Sequence, residues 1–420
     1  MNSKDIATRA RGAAPPLACA STAAKNAALL RMAELLESRT SDILAANQSD
    51  LDRARADDLA PELVNRLAFG EDKIASRVHS LRKIADLPDP VGQSTDVQRR
   101  PNGLDVARVR VPLGVIMMIY EARPHVTVNA GAFCLKSGNS AILRGGSEVR
   151  ACNTLLGELW RDAVSASGLP ADGVQVITGS HDDVAALLGC DDLIDLVIPR
   201  GGRTLIETVM EQSRIPVIKH YEGVCHVYID SDADFARALP VVIDSKCLMP
   251  EVCNAAETLL VHRDAAGVLL PRIVKALQHR GVAVRGCPET RRIVADIAAA
   301  SDEDWRTEYL DMILSVRVVD SLEAAVDHIN TYGSHHTDAI VTERIHAANT
   351  FLERVDSGVV LLNASTMYCD GDSLGMGAEI GISTDKLHAR GPMGLRDLTS
   401  YKFIIRGSGH TMGDAADATG

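Results

Sequence analysis

Aromatic residues are scarce: Phe, Trp and Tyr together make up 3% of the 420 residues. A chain so poor in stacking surface is a weak candidate for a single-stranded nucleic-acid platform, which holds bases on aromatic rings. Its core must be built from Ala, Val, Leu and Ile, the usual material of α/β enzymes. Positive charge is the minority sign. The 44 Lys and Arg stand against 56 Asp and Glu, a net charge of −12. This balance argues against nonspecific binding to DNA or anionic membrane, although it leaves room for a local basic pocket. No apolar run reaches transmembrane length, and Met1-Asn2-Ser3-Lys4-Asp5-Ile6 lacks the charged and apolar blocks of a secretory signal. The nine cysteines show no regular spacing, no CxxC pair and no Cys/His cluster of zinc spacing. Neither a disulfide framework nor a metal site is expected. These absences point to a soluble protein of a reducing compartment, the cytoplasm.

What is present is length and rhythm. The chain has room for two or three domains. Residues 15–91 read as helices, with apolar residues at helical spacing over 23–38, 41–56 and 61–69. Pro88, Pro90 and Gly92 break that pattern. Residues 93–111 read as a β-hairpin turning at Pro101-Asn102-Gly103, charged on one face and apolar on the other. From Gly114 the pattern alternates. Strands are expected over 115–120, 140–144, 174–178, 193–199 and 217–220, and helices over 126–137, 147–168, 184–188 and 204–212. This is the rhythm of a parallel, doubly wound sheet. A second α/β segment is expected after Asp230, with helices over 265–280 and 322–331 and strands over 314–319 and 339–341. A late strand over 401–406 is placed to join the hairpin in a sheet between subunits. The residues after Gly407 are small and polar and read as a disordered tail.

One cysteine stands apart. Cys253 lies in Met249-Pro250-Glu251-Val252-Cys253-Asn254-Ala255-Ala256-Glu257, a loop with proline and acidic residues that leads into an apolar strand. A buried thiol is by default a small hydrophobe, and most of the nine are read so. A thiol delivered on such a loop suits acyl transfer, with nearby N–H groups stabilising the oxyanion. Two strand–turn–helix junctions carry glycines beside arginine, Arg144-Gly145-Gly146-Ser147 and Arg200-Gly201-Gly202. Helix N-termini there favour an anion, and Arg144 can pair with a phosphate in forked geometry. Neither is GxGxxG, and each alone is more often an ordinary βα turn; the two together are more telling. His335 and His336 lie in a Gly-Ser-His-His-Thr loop and read equally as substrate contacts or as structural histidines. Lys246 reads either as lowering the thiol pKa or as solvated. Asp338 reads as orienting a histidine or capping a strand, and Glu257 as pairing with a basic neighbour or holding the loop.

Ordered motifs extend along nearly the whole chain. They include Pro112-Leu113-Gly114-Val115-Ile116, Tyr120-Glu121-Ala122-Arg123-Pro124 and Cys134-Leu135-Lys136-Ser137-Gly138-Asn139. Cys225-His226-Val227-Tyr228, Cys253-Asn254-Ala255 and the run from His328 to Ile340 follow. So do Gly377-Ala378-Glu379-Ile380-Gly381 and His388-Ala389-Arg390-Gly391-Pro392. Together they resemble the γ-glutamyl phosphate reductases, the glutamate-5-semialdehyde dehydrogenases of proline biosynthesis within the aldehyde dehydrogenase superfamily.

The resemblance implies an aldehyde dehydrogenase-like α/β fold, with doubly wound parallel sheets in two domains and a small oligomerisation β-flap. An NADP-binding domain would take 1–93 and 113–230. A catalytic domain would take 231–390, its last part left open as a return to the cofactor domain. The flap would take 94–112 and 396–407, and the disordered tail 408–420. The implied reaction is NADPH-dependent reduction of an acyl phosphate through a Cys253 thioester. Arg144, with Gly145, Gly146 and Ser147 in its turn, takes the position of the superfamily's adenosine-ribose lysine. Gly201 and Gly202 take the turn near the pyrophosphate, and Glu308 the nicotinamide ribose. Asn254, Arg123, His335 and His336 are assigned to the oxyanion or the substrate. His220 stands where hydrolytic aldehyde dehydrogenases place a glutamate base. The lack of that base suits a reaction in which phosphate, not water, meets the thioester. Expected partners are a small-molecule acyl phosphate, further copies of the chain and the glutamate 5-kinase that makes the acyl phosphate.

Departures from the family pattern gather near the substrate. The loop before the cysteine usually reads Gln-Arg-Pro and is Leu248-Met249-Pro250 here. The arginine that usually follows Asn363-Ala364-Ser365-Thr366 is Met367, with Tyr368 after it. Tyr-Glu-Ser-Arg-Pro-Asn has become Tyr120-Glu121-Ala122-Arg123-Pro124-His125. Two guanidiniums fewer weaken carboxylate or phosphate binding, unless Arg123, Lys136 or Arg390 compensates. Two other readings therefore stay open: a paralogue reducing a different acyl phosphate or a carrier-bound thioester, and a non-catalytic scaffold for the kinase. Cys253, Arg144 and Gly201-Gly202 argue against the scaffold.

Overall fold

The computed structural model describes residues 3–219, 222–377 and 379–412. Two compact units divide the chain. One runs to Ile218 and resumes at Met393; the other spans Lys219–Pro392.

Five helices open the first unit: Ser3–Ala18 (α1), Thr22–Ser38 (α2), Thr40–Ala56 (α3), Pro61–Leu67 (α4) and Glu71–Asp86 (α5). The sequence pattern places no helix before residue 15. α1 forms because Ala7, Ala10, Ala14 and Leu17 share a buried face, with Pro15-Pro16 in its last turn. The hairpin is Ser94–Arg99 (β1) and Asp105–Pro112 (β2). An alternation follows: Val115–Tyr120 (β3), Pro124–Lys136 (α6), Ser140–Gly145 (β4), Arg150–Ala166 (α7), Val174–Ile177 (β5), His181–Leu188 (α8), Leu196–Arg200 (β6) and Arg203–Gln212 (α9). The strands pair in parallel in the order β5-β4-β3-β6. Every residue of β3 and β4 is buried, the reason these strands are written as near-continuous apolar runs. No strand forms over 217–219. Val217 makes one bridge to Val197, and His220 lies outside the described residues.

The late strand, Thr399–Arg406, does not wait for another subunit. It pairs antiparallel with β2 of its own chain, from Thr399 opposite Pro112 to Arg406 opposite Asp105. The chain has by then re-entered the first unit, and two clamps fix its approach. Arg110 donates to Thr399 Oγ1 at 2.8 Å and to the Arg396 carbonyl at 3.0 Å. Asn139 Nδ2 donates to the Leu398 carbonyl at 2.8 Å. Nor is the tail loose from residue 408. The His410 ring donates to the Asn102 carbonyl at 2.6 Å and accepts from the Ser408 N–H; residues 413–420 lie outside the described set.

The second unit is built on a seven-stranded parallel sheet with helices on both faces. Its elements are Cys225–Ile229 (β7), Phe235–Cys247 (α10), Ala256–His262 (β8), Arg263–Gln278 (α11), Ala283–Gly286 (β9), Pro288–Ile293 (α12), Ala298–Ala299 (β10), Ile313–Val319 (β11), Leu322–Tyr332 (α13), Thr337–Val341 (β12), Ile345–Arg354 (α14) and Val359–Leu362 (β13). The strand order is β10-β9-β11-β8-β7-β12-β13. Val227 and Ile229 pack with Leu270 and Ile273 of α11. Tyr228, between them in sequence, packs on the other side with Leu322, Ile329 and Phe351. The expected boundary at 230/231 is therefore too late. β7 bonds between β8 and β12 and cannot belong to the preceding sheet. No helix among the described residues is long and apolar enough to cross a membrane.

Asn139 is buried and joins three parts of the first unit: it accepts from the Gly114 N–H at 2.8 Å and donates to Ser137 Oγ and the Leu398 carbonyl. Replacing it with alanine leaves buried polar groups unpaired. Asn139→Ala should cost roughly 2–4 kcal/mol, read as a lower urea midpoint than the parent protein.

Candidate active site

All strands of the second sheet point the same way, so their amino ends share one edge. Cys253 lies in the turn between α10 and β8, at that edge. Pro250 cannot supply an N–H to extend α10. The chain instead turns twice, with the Val252 N–H reaching the Met249 carbonyl and the Ala255 N–H the Val252 carbonyl. Cys253 ends half-buried. Its carbonyl accepts the Cys225 thiol at 3.2 Å. Gly223 passes so close that a Cβ there would fall 1.7 Å from the same carbonyl oxygen, so no other residue fits at this position. The Gly223 N–H donates to Glu308 Oε1 at 2.8 Å, and the Val224 N–H to Ser334 Oγ at 2.9 Å. The residues that lead into β7, β8, β11 and β12 are thus tied into one cluster around the thiol. Burial pushes the Glu308 carboxyl above its ordinary range, against the pull of the Gly223 N–H.

The neighbouring thiols are buried. Burial pushes Cys369 up to about 12 and Cys225 well above its ordinary value, so both stay protonated. His336 is buried, with Nδ1 2.8 Å from Thr337 Oγ1 and 3.7 Å from the Cys225 sulfur. His335 has a left-handed backbone, φ 60°, and its ring donates to the Asp356 carbonyl at 2.6 Å, a structural bond. Asp338 orients His226, at 2.9 Å from Nδ1, and neither histidine of the pair.

Asn254 differs from the expectation. Its side-chain N–H group points to the carbonyls of Thr366, Met367 and Cys369 at 3.2, 3.3 and 3.2 Å. Its donors are spent on holding that segment, so the side chain is a strut and not an oxyanion donor. Because the contact is to the Met367 backbone, the methionine does not disturb it. Lys246 is neither solvated nor aimed at the thiol. It is buried, with Nζ 2.6 Å from Glu257 Oε2. Burial pushes Glu257 up to about 7 while that ammonium pulls it down.

The two glycine turns of the first unit are occupied by the chain itself. Residues 147–149 form a 3-10 turn before α7. The N–H groups of Ala151 and Cys152 at the start of α7 donate to Asp50 at 3.0 and 2.9 Å. The helix end that the sequence offers to a phosphate is already capped by a buried carboxylate, which Arg53 pairs. At the second turn, the Gly202 N–H donates to Glu121 Oε2 at 2.9 Å. A Cβ on Gly145 would fall 2.0 Å from Asn153 Nδ2, and one on Gly201 2.5 Å from Glu121 Oε2. Both glycines answer to internal packing. Ser147 offers its carbonyl to Arg53. Arg144 is the residue of this group that suits a bound nucleotide. It is nearly buried, its Nε has no partner, and its Nη2 reaches the Gly179 carbonyl at 3.4 Å. Gly179 lines a groove of about 440 Å³ along β5, walled by Gly157, Glu158 and Arg161 of α7.

Arg123 opens α6, where burial and then the charges of Arg77, Arg123, Lys73 and Arg200 push His125 down to about 4. So many cations around one neutral imidazole suit an anion. Lys136 and Arg390 are tied up elsewhere, to Asn26 and the Ala85 carbonyl and to Asp356. Among the described residues no group of three or more His, Cys, Asp or Glu is placed to share a metal. Gly223 and Cys225 were not singled out as site residues by the sequence. A glycine just ahead of a strand is a sign of close backbone approach, and was the available signal. Asp50 gave none. Asn254→Ala should release the 366–369 segment and lower stability by about 1–3 kcal/mol, seen as a lower melting temperature with faster proteolysis there.

The aldehyde dehydrogenase family model matches residues 2–291. The γ-glutamyl phosphate reductase of Moorella thermoacetica is 51% identical over 402 residues, 96% of this chain and 96% of that protein. The crystal structure of γ-glutamyl phosphate reductase from Thermotoga maritima is 42% identical, covers 98% of this chain and 100% of its own, and superposes with a TM-score of 0.96. An acetylating aldehyde dehydrogenase from Geobacillus thermoglucosidasius, 15% identical over 97% of each chain with a TM-score of 0.70, shares the fold. The chain belongs to the aldehyde dehydrogenase family, and within it to the γ-glutamyl phosphate reductases.

Proposed function

We propose that the protein reduces L-glutamyl 5-phosphate to L-glutamate 5-semialdehyde and phosphate with NADPH, a step of proline biosynthesis. The observation that carries this reading is Cys253, a half-buried thiol at the amino edge of the second sheet in a chain 51% identical to a γ-glutamyl phosphate reductase. The Cys253 thiolate attacks the acyl carbon. The bond to the phosphate oxygen breaks, and phosphate leaves with the electron pair. The thioester carbon then accepts hydride, and collapse of the tetrahedral anion breaks the C–S bond to return the thiolate and free the aldehyde. Bound NADPH supplies that hydride. Cys225 and Gly223 hold the Cys253 backbone through its carbonyl while its sulfur does the chemistry. A different acyl donor or a purely scaffolding role is not favoured by relatives of this identity and coverage.

The cofactor preference rests on Arg144, whose guanidinium reaches the Gly179 carbonyl beside the β5 groove and whose Nε has no partner. The exposed side chains of Tyr401, Phe403 and Ile405 on the last strand support assembly with further copies through the flap. Contact with the kinase that makes the labile acyl phosphate belongs to the same proposal. The direct test is NADP reduction in the presence of glutamate 5-semialdehyde and phosphate or arsenate, beside a panel of other aldehydes. Equal rates across the panel would remove the substrate assignment.

Cys253→Ala should abolish turnover while melting behaviour and NADPH binding stay at parental values, because losing the nucleophile removes the covalent path itself. Arg144→Ala should raise the KM for NADPH by the equivalent of about 1.5–3 kcal/mol and leave that for NADH nearly unchanged. Steady-state kinetics with both cofactors separate this from a general loss of nucleotide binding.

A further inference from the structure

Lys246 and Glu257 form a fully buried ion pair that no step of the proposed reaction uses. Lys246 sits in the last turn of α10 and Glu257 at the start of β8. The pair therefore staples the two ends of the loop that carries Cys253. A register shift aims Glu257 at its partner: Cys225 pairs with Ala256 but His226 pairs with Thr258, so Glu257 is the extra residue of β8. Such irregularities redirect a side chain out of the regular alternation. Glu257 has a second bond. Its Oε1 accepts the Leu310 N–H at 3.1 Å. Leu310 holds a left-handed backbone, φ 53°, which a branched residue keeps only where surrounding contacts enforce it. Glu308 lies in the same turn, and its carboxylate takes the Gly223 N–H against the Cys253 carbonyl. The contacts close a ring: Lys246, Glu257, Leu310, Glu308, Gly223, Cys253. An apolar pair of equal volume would stabilise such a core as well as buried charges do, so stability alone is a poor reason for this arrangement.

We propose that Glu257 is a positioning residue, its buried charge balanced by Lys246: through the Leu310 amide its second oxygen holds the turn that presents Glu308, and so fixes the nicotinamide-ribose contact relative to the Cys253 loop. This rests on the functional reading above. Neither residue touches the reacting atoms, and Lys246 spends its Nζ on Glu257.

Two double variants separate the role from packing. K246M/E257Q neutralises the pair but keeps an oxygen for the Leu310 amide; K246M/E257L neutralises it and removes that oxygen. The first should stay within about threefold of the parent in kcat/KM for NADPH, and the second should fall about tenfold or more. In a Glu308→Gln background the second pair of changes should have less than about a twofold effect, since residues acting through one another are not additive. Tenfold losses in both backgrounds, or parental activity of K246M/E257L, overturn the proposal. If K246M/E257L does not fold, Glu257→Asp enters the same cycle, because it draws the carboxylate back from Leu310 and keeps the charge. Amide hydrogen exchange gives a readout independent of turnover. The Leu310 amide should exchange as slowly as strand amides in the parent and in K246M/E257Q. Rapid exchange there in the parent protein overturns the proposal, whereas a parent that exchanges slowly but does not turn over glutamate 5-semialdehyde removes only the functional reading.

Discussion

The missing side chain at Gly223 is the constraint on which the second unit depends. Only glycine lets one backbone pass against the Cys253 carbonyl at this separation. That approach exposes the Gly223 N–H to Glu308 and leads the chain into Cys225, whose thiol binds the same carbonyl. Cys253, the nucleophile of the proposed reaction, is thus held through its main-chain carbonyl, and its two buried neighbours are kept as thiols by desolvation.

This cluster lies at the amino ends of parallel strands. The general rule for open α/β sheets puts ligands beyond the carboxyl ends, where the turns after β4 and β6 lie in the first unit. Each sheet thus carries its candidate groups at a different strand end, amino in the second unit and carboxyl in the first. The loops that precede β7, β8, β11 and β12 carry thiol, carboxylate and histidine, and the loops that follow β4, β5 and β6 carry arginine and glycine.

Those glycine turns also show how a protein uses its own acids. A helix N-terminus attracts a carboxylate of the chain as readily as a phosphate. Asp50 on α7, Glu121 at Gly202 and Glu148 on the Ala122 N–H satisfy donors that would otherwise be costly to bury. In the proposed function, what these turns would offer a nucleotide is a side chain, Arg144, and the groove beside β5, in place of a ring of free amides.

Much was legible from the residues alone. Fully buried strands announce themselves as apolar runs, and helices by their period, because both depend on neighbours in sequence. The alternation from Gly114, the hairpin and the strand after Cys253 were readable for that reason. So was the family, whose motifs lie in order along the chain. Cys253 stood out because its loop, proline and following strand are local. Tertiary structure decided the rest. That the last strand joins the hairpin was legible; that it does so within one chain was a matter of where the chain returns after Met393. The boundary at Lys219 was set by β7 bonding between β8 and β12. Asn254 was read as a donor to substrate, but three carbonyls from a distant segment claim it. Lys246 and Glu257 were each readable in two ways until the register shift in β8 brought them together. Sequence determined which groups the chain carries and which segments are strand or helix, since those follow from short-range sterics and burial. Which donor meets which acceptor was settled only by the fold, because a buried polar group takes the nearest partner in space, and that partner is rarely near in sequence.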